Sequence, residues 1–217
     1  MGLLKDEDIA AVKQLLAEMS GAVALTHYHT QEDCPGCPVV TELMSQVEPL
    51  SEQLTVTQVN VDDGDGSLPD WASPELPAVQ VLEDLGRLRW MYHGVPAGYE
   101  FGQLLQVVLL ASGADHGVPP AMAEELGRIN KPIPTKIFLT PACPHCPRAV
   151  DAVTRIAMVQ PLVQVEVFEA SEFPEISQKY QVSAVPLTII GETEGILGAV
   201  PGGQFVEAIL KQASLAV

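Results

Sequence analysis

The spacing of four cysteines and two prolines constrains this chain more than any other feature of its sequence. All four cysteines lie in two Cys-Pro-X-Cys motifs, at residues 34–37 and 143–146. The 43 positions that separate Cys34 from Pro77 also separate Cys143 from Pro186, and each proline lies in an apolar run typical of a β-strand. Two unrelated motifs would not share that distance. The spacing therefore predicts that one structural unit occurs twice.

The length and charge of the chain narrow the possible classes of protein. A chain of 217 residues suits two domains of about 100 residues, and a Gly-, Pro- and Asp-rich segment at 112–120 favours domains at 1–116 and 117–217. The net charge of −17 argues against nucleic-acid binding, which needs a basic face. No signal-peptide core is visible, and no apolar stretch approaches the roughly 20 residues of a membrane span. We therefore expect a cytoplasmic protein without nucleic-acid or membrane partners.

Hydrophobic periodicity predicts the same α/β order in both halves, β-α-β followed by β-β-α. In the first half, after an amphipathic helix at 9–19, we expect a strand at 22–29, a helix from Cys37 to Pro49, strands at 54–61, 77–81 and 88–92, and a helix at 101–110. In the second half, after a helix at 121–129, we expect strands at 137–140, 163–168, 186–190 and 195–200, with helices following Cys143 and over 205–214. Each unit is thus predicted to be a central mixed sheet flanked by helices.

Cysteines spaced i, i+3 at the start of a helix supply what dithiol–disulfide exchange requires. The free N–H groups and positive end of a helix stabilise the first thiolate, lowering a cysteine pKa from about 8.5 into a range of roughly 3.5 to 7.5. The second cysteine lies one turn further in and is less exposed. We therefore predict Cys34 and Cys143 as nucleophiles, with Cys37 and Cys146 as resolving thiols.

The residues between and after the cysteines are predicted to shape the two helix starts. Pro35 and Pro144 suit the first helical position, where a missing N–H has no consequence. Pro38 and Pro147 follow the second cysteines and should distort each first turn. The alternative is that these prolines only punctuate turns.

The two cysteine pairs are not expected to be equivalent. His145 can stabilise the thiolate of Cys143 and make the second pair the stronger oxidant, whereas Gly36 offers no charge. The alternative is that His145 is a solvent-facing spacer.

Pro77 and Pro186 are predicted to lie opposite the cysteines, at the entrance to the third strand of each unit. If the Leu76-Pro77 and Val185-Pro186 bonds are cis, the backbone of Leu76 or Val185 is free to pair with an extended substrate. A single such proline would be expected to be trans, but identical spacing in two copies favours cis.

Metal binding is the main alternative to redox chemistry. Two CxxC pairs can form a tetrahedral zinc site or hold an Fe–S cluster, although each pair here has its own matching proline. His27 and His29 alternate near Cys34, where a polar strand end explains them better than a metal site, and His93 and His116 are interpreted as loop residues. We predict no metal ligands. A redox-inert scaffold or chaperone module is a third possibility.

The sequence resembles the two-domain, glutaredoxin-like protein disulfide oxidoreductases of archaea and thermophilic bacteria over essentially its whole length. The resemblance is carried by CPGC at 34–37, YHGVPAGYEF at 92–101, TPACPHCP at 140–147 and YQVSAVP at 180–186. It implies tandem thioredoxin folds packed as one body and dithiol–disulfide exchange on protein substrates, without a cofactor beyond the redox-active disulfides. It also implies electrons from a flavin-containing thioredoxin reductase, with a peroxiredoxin as a further candidate partner.

A related segment opens the alkyl hydroperoxide reductase flavoproteins. That segment typically keeps one cysteine pair, and the tyrosine common between the cysteines of the oxidoreductases is missing from both motifs here. Because both pairs are intact in this chain, a self-standing oxidoreductase is the better match.

Overall fold

The computed structural model describes residues 2–64 and 66–214, and it contains the predicted elements in the predicted order. The first half comprises α1 (Asp6–Leu16), β1 (Val23–His29), α2 (Cys37–Val47), a 3-10 turn (Glu48–Leu50), β2 (Leu54–Asn60), β3 (Ala78–Glu83), β4 (Trp90–His93) and α3 (Tyr99–Ala111). The second comprises α4 (Pro120–Leu126), β5 (Ile133–Leu139), α5 (Cys146–Val159), β6 (Val163–Glu169), α6 (Pro174–Lys179), β7 (Leu187–Ile190), β8 (Glu194–Leu197) and α7 (Gly202–Ser214).

A single sheet of eight strands runs through both halves, in the order β2-β1-β3-β4-β6-β5-β7-β8. Within each half the first strand pairs in parallel with the second and antiparallel with the third, which pairs antiparallel with the fourth. The halves join where β4 pairs in parallel with β6, with Trp90 opposite Val165 and His93 opposite Phe168. The prediction of tandem units packed as one body is confirmed.

All the helices except α6 pack on one face of this sheet and share a hydrophobic core that spans the seam between the halves. Trp90 lies fully buried in that core, and its indole N–H donates to the Thr154 hydroxyl of α5 at 3.0 Å. Burying such a side chain stabilises a fold by about 1.5–3 kcal/mol, and the hydrogen bond satisfies its polar group. Trp90 is therefore a core residue that ties β4 to the second half.

Two smaller hydrophobic clusters, one in each half, lie on the opposite face of the sheet. In the first half, the segment after β2 brings Trp71 and Leu76 over Tyr28 and Met91. In the second half, α6 packs Ile176 against the sheet, and the sequence reading missed this six-residue helix. β5 also begins at Ile133, earlier than predicted, because the pairing with β6 extends through Pro134. No helix in the described residues has the length and apolarity to cross a membrane.

Candidate active site

Both cysteine pairs are disulfides at the start of a helix, one in each half. The Cα atoms of Cys34 and Cys37 are 5.4 Å apart, and those of Cys143 and Cys146 are 5.5 Å apart, both ordinary for a disulfide. α2 and α5 begin at the second cysteine of each pair. The repeated motif has therefore built two separate redox sites.

The prolines around the cysteines sit differently from the prediction. Pro35 and Pro144 lie in the turn before the helix, so their predicted place at the first helical position was wrong. Pro38 and Pro147 occupy the second helical position instead. The first four N–H groups of a helix have no partner within it, so a proline there removes no bond, and the reason for expecting a distorted turn disappears.

The first cysteine of each pair is more exposed than the second. Cys34 is partly exposed and Cys143 is 8% exposed, whereas each second cysteine is only 2% exposed. The N–H of Cys146 donates to Sγ of Cys143 at 3.2 Å, while the N–H of Cys37 donates to the carbonyl of Cys34 at 3.1 Å. An N–H directed at a sulfur stabilises negative charge on it, so the two sites differ in the way that favours a thiolate at Cys143.

The peptide bonds before Pro77 and Pro186 have the predicted conformation. Leu76-Pro77 and Val185-Pro186 are both cis, which confirms that prediction. The carbonyl of Pro77 accepts from the N–H of Gly94 at 2.9 Å, and that of Pro186 accepts from Gly198 at 2.8 Å. The same local arrangement therefore recurs at both sites.

Gly36 has a steric role that the sequence did not indicate. A Cβ placed on it would lie 2.9 Å from Cγ2 of Val95 and 3.1 Å from Cδ of Pro77, so only glycine allows this approach. His145, at the corresponding position between the other cysteines, is exposed and precedes α5. The two sites thus differ in the packing around the residue between their cysteines.

The loop at residues 94–98 connects the two redox sites. Its Val95 packs on Gly36 of the first site. At its other end, the N–H of Tyr99 donates to the carbonyl of Pro141, two residues before Cys143, at 3.2 Å. Gly98 has a positive φ of 54°, and a Cβ there would lie 2.6 Å from that carbonyl. Glycine is therefore required for this contact between the halves.

Glu100, the second residue of α3, is a buried acid that the sequence reading missed. Burial raises its pKa to about 7, with Glu169 adding to the rise, although the hydroxyl of Tyr92 donates to its Oε2 at 2.6 Å. A glutamate in the first turn of a helix usually faces solvent. A comparison of the two copies could have drawn attention to Glu100. In the segment before the last helix, residues 94–101 correspond to residues 198–205, and Gln204 stands where the first copy has Glu100.

Two histidines are more buried than predicted. His27 is not a polar strand end: it is fully buried, and burial lowers its pKa to about 4, against a hydrogen bond between Nδ1 and Oε1 of Gln58 at 2.6 Å. His93 is not a loop residue: it ends β4, is fully buried, and lies 3.1 Å from Glu166 through Nε2. In residues 2–64 and 66–214 no three His, Cys, Asp or Glu side chains group closely enough to hold a metal ion.

Sequence comparisons match the second half to a thioredoxin domain and most of the chain to part of a larger reductase. The family profile described as thioredoxin domain matches residues 134–211. A thioredoxin of Methanocaldococcus jannaschii is 36% identical over 78 residues, which are 36% of this chain and 92% of that protein. The F component of alkyl hydroperoxide reductase from Staphylococcus epidermidis is 21% identical over 183 residues, 84% of this chain. The chain spans only 33% of the length of that relative.

Solved structures share the tandem fold. A protein disulfide oxidoreductase from Aeropyrum pernix superposes with a TM-score of 0.87 at 24% identity, over 96% of this chain and 93% of that one. The NTD_N/C domain of the alkyl hydroperoxide reductase AhpF from Enterococcus faecalis gives a TM-score of 0.85 at 20% identity, over 95% and 99% of the chains. The likeness to the two-domain oxidoreductases is thereby confirmed in structure.

The disulfides and the relatives together favour dithiol–disulfide exchange over metal binding. Each cysteine pair is a disulfide at a helix start, and the M. jannaschii thioredoxin matches this chain over nearly the whole of its own length. On this evidence the chain is a thiol–disulfide oxidoreductase and belongs to the thioredoxin family.

Proposed function

We propose that this protein exchanges disulfides with protein substrates through both cysteine pairs and so carries electrons between proteins in the cytoplasm. The observation that carries the proposal is the presence of two complete sites, each with a disulfide at a helix start and a proline 43 positions beyond its first cysteine. Cys34, Cys37, Cys143 and Cys146 are the catalytic residues.

In the reductive direction, the thiolate of Cys34 or Cys143 attacks one sulfur of a substrate disulfide. The substrate S–S bond breaks, a mixed disulfide forms, and the departing substrate sulfur takes a proton from water. The thiolate of Cys37 or Cys146 then attacks the enzyme sulfur of that mixed disulfide. The second substrate thiol leaves, the enzyme pair is oxidised, and two electrons have passed to the substrate.

The docking of substrate is assigned to the residues at the two matched prolines. Leu76 and Val185 precede these prolines, and Pro77 packs on Gly36 beside the first disulfide. An extended substrate segment can pair with the backbone of Leu76 or Val185 as an added strand. Pro77 and Pro186 hold those segments in place.

The second site is proposed as the more oxidising one. The N–H of Cys146 is directed at Sγ of Cys143, and His145 lies between those cysteines where a positive charge would stabilise the same thiolate. A stabilised thiolate favours the reduced pair, which raises the reduction potential. Pro35, Gly36 and Pro144 shape the turns in which the reactive sulfurs lie.

A flavin-containing thioredoxin reductase and a peroxiredoxin are the proposed partners. Two-electron reduction by a flavin-containing thioredoxin reductase, and onward transfer to a peroxiredoxin, fit the similarity to the F component of alkyl hydroperoxide reductase. The disulfides supply the redox chemistry, so no further cofactor is proposed. Residues 1–116 and 117–217 are proposed as the two domains.

Dithiothreitol-dependent reduction of insulin tests the proposed function. We expect the wild-type protein to accelerate it and the Cys34→Ser/Cys143→Ser variant to be inactive, because both nucleophiles are then missing. Undiminished turnover in that variant would end the assignment. Metal analysis beside a free-thiol count separates the alternative, since a zinc protein would carry stoichiometric metal on reduced cysteines.

A further inference from the structure

The segment that leads to Pro77 is held by a residue of the other half. The backbone N–H of Ser73 donates to Oε1 of Glu166, on β6, at 2.6 Å. Glu166 is almost fully buried, and it reaches across the seam of the sheet to the segment of the first half that contains Ser73. A buried carboxylate must be paired, so this hydrogen bond fixes the backbone of the segment relative to β6.

His93 extends the connection to within one residue of the docking segment of the first site, which we define as Leu76-Pro77. Its Nδ1 lies 2.8 Å from the carbonyl oxygen of Glu75, which precedes Leu76, and its Nε2 lies 3.1 Å from Oε1 of Glu166. Both ring nitrogens are thus within hydrogen-bonding distance of oxygen atoms, one in each half of the protein. The ring also stacks on Phe168 at 4.4 Å, which fixes its plane. His93 therefore connects Glu166 on β6 to the backbone of Glu75, next to Leu76.

Lys136 completes the buried charge cluster from the neighbouring strand. Its ammonium group binds Oε2 of Glu166 and donates to the hydroxyl of Ser73 at 2.9 Å. The hydrogen bond from His93 and the charge of Lys136 outweigh the burial of Glu166 and lower its pKa to about 2. Glu166 consequently stays ionised at every pH of interest.

A second carboxylate from the same half holds the other side of the first site. Oε1 of Glu172 accepts from the N–H of Val95 at 2.8 Å, and Val95 packs on Gly36. The neighbouring Gly94 donates its N–H to the carbonyl of Pro77. The docking segment of the first site is thus bracketed by Glu166 and Glu172, both from the second half.

The second site carries a different residue at the position of His93. His93 pairs with Ala78, the residue after Pro77, and the residue that pairs in the same way after Pro186 is Leu197. Leu197 lies on the edge strand β8 and is 59% exposed. Among the described residues, charged side chains from the other half hold only the first docking segment. These side chains are Glu166 and Glu172.

We propose that His93, Glu166 and Glu172 are positioning residues for the first redox site, which hold its docking segment in the conformation that binds a protein substrate. The inference rests on the proposed exchange with protein substrates. If so, the first site needs the second half to bind its protein substrate, even in a reaction in which Cys143 and Cys146 exchange no disulfide.

Single-site proteins test this inference. Cys143→Ser/Cys146→Ser leaves only the first site, and Cys34→Ser/Cys37→Ser leaves only the second. His93→Phe keeps an aromatic ring against Phe168 but removes both hydrogen bonds, and Leu197→Phe is the matched control in the other half. For each protein, kcat and KM with insulin are compared with the rate on a small aromatic disulfide, which needs no docking segment.

We expect His93→Phe to lower kcat/KM for insulin by at least about tenfold in the first-site protein, mainly through KM, because a displaced binding segment loses orientation. The rate on the small disulfide and the reduction potential of the Cys34–Cys37 pair should stay unchanged. The second-site protein should lose nothing from His93→Phe, and neither protein should respond to Leu197→Phe.

If His93→Phe fails to fold, Glu172→Ala makes the same test, because Glu172 is at the surface and its removal takes only the hydrogen bond to Val95. An equal loss at both sites, or an equal loss on the small disulfide, would overturn the inference while leaving the proposed function intact. No insulin reduction by either single-site parent would overturn the proposed function and this inference with it.

Discussion

Two buried side chains, Glu100 and His27, should change the stability of this protein with opposite signs as the pH rises from about 4.5 to 6.5. Glu100 is 2% exposed and His27 is 0% exposed, so solvent screening does not weaken either contribution. Replacing one of them at a time should uncover the pH dependence of the other.

For Glu100, burial raises the pKa from 4.5 to about 7. The folded protein then keeps a proton that the unfolded chain has already released, so the contribution to stability is fully present below pH 4.5. It is lost as the pH rises through about 7. At 1.36 kcal/mol per pH unit, the loss is about 3 kcal/mol.

For His27, burial lowers the pKa from 6.5 to about 4. Between pH 6.5 and about 4 the unfolded chain binds a proton at His27, whereas the folded protein does not. The contribution of His27 to stability is therefore fully present above pH 6.5 and is lost as the pH falls through about 4. Its size is again about 3 kcal/mol. Between pH 4.5 and 6.5 the gain at His27 nearly cancels the loss at Glu100.

Glu100→Gln keeps an acceptor for the hydroxyl of Tyr92 but cannot titrate, and His27→Asn keeps a polar group near Gln58. Relative to wild type, Glu100→Gln should gain about 3 kcal/mol in its free energy of unfolding as the pH rises from 4.5 to 7, and His27→Asn should lose about as much. The double variant should again be nearly independent of pH relative to wild type. Urea unfolding at pH 4.5, 5.5 and 7 measures these differences.

Differences from wild type are the right quantity because every other titrating group cancels in them. Glu166 does not enter this window, since its lowered pKa gives a contribution that is present above pH 4.5 and lost only as the pH falls through about 2. Two single variants whose unfolding free energies run parallel to wild type across the window would refute the assigned burial effects.

Three further predictions concern the redox sites. Gly36→Ala should slow insulin reduction by the first-site protein several-fold, because the added Cβ would lie 2.9 Å from a methyl group of Val95. Gly102→Ala is the control and should not slow it, because nothing lies within 4 Å of a Cβ there. Equal rates for the two variants would contradict the steric role of Gly36. His145→Gly should lower the reduction potential of the second pair, measured by thiol–disulfide equilibration, and an unmoved potential would make the histidine a spacer. Pro186→Ala should slow insulin turnover while a free-thiol count shows both pairs still oxidisable, and undiminished turnover would contradict a docking role.

The fold could be predicted because its signals are local and occur twice. Periodic apolar runs gave the strands and helices, and the shared distance from Cys34 to Pro77 and from Cys143 to Pro186 fixed their relation. Pro35 and Pro144 were assigned to the wrong helical position because each motif has a proline on either side of its second cysteine. Both prolines are compatible with a first turn, and only the backbone geometry distinguishes them.

Glu100 and His93 could not be predicted, because their environments come from residues far away in the chain. The raised pKa of Glu100 depends on its burial and on the charges of Glu169 and Glu172 in the second half, and His93 meets Glu166 only because β4 pairs with β6. No local pattern indicates which strand of one unit will join the other. A comparison of the two copies does mark both positions, since Leu197 and Gln204 replace them in the second half.

The difference between the two copies follows from the way they are joined. Pairing β4 with β6 makes β4 an interior strand with all four residues buried, whereas β8 stays at the edge and is half exposed. A polar side chain on a buried strand needs a hydrogen-bond partner, and Glu166 is the partner of His93. The corresponding position on β8 is occupied by Leu197, which is exposed. Even from identical units, a continuous eight-stranded sheet would therefore place its two redox sites in different surroundings, one fixed by the seam and one beside a free edge.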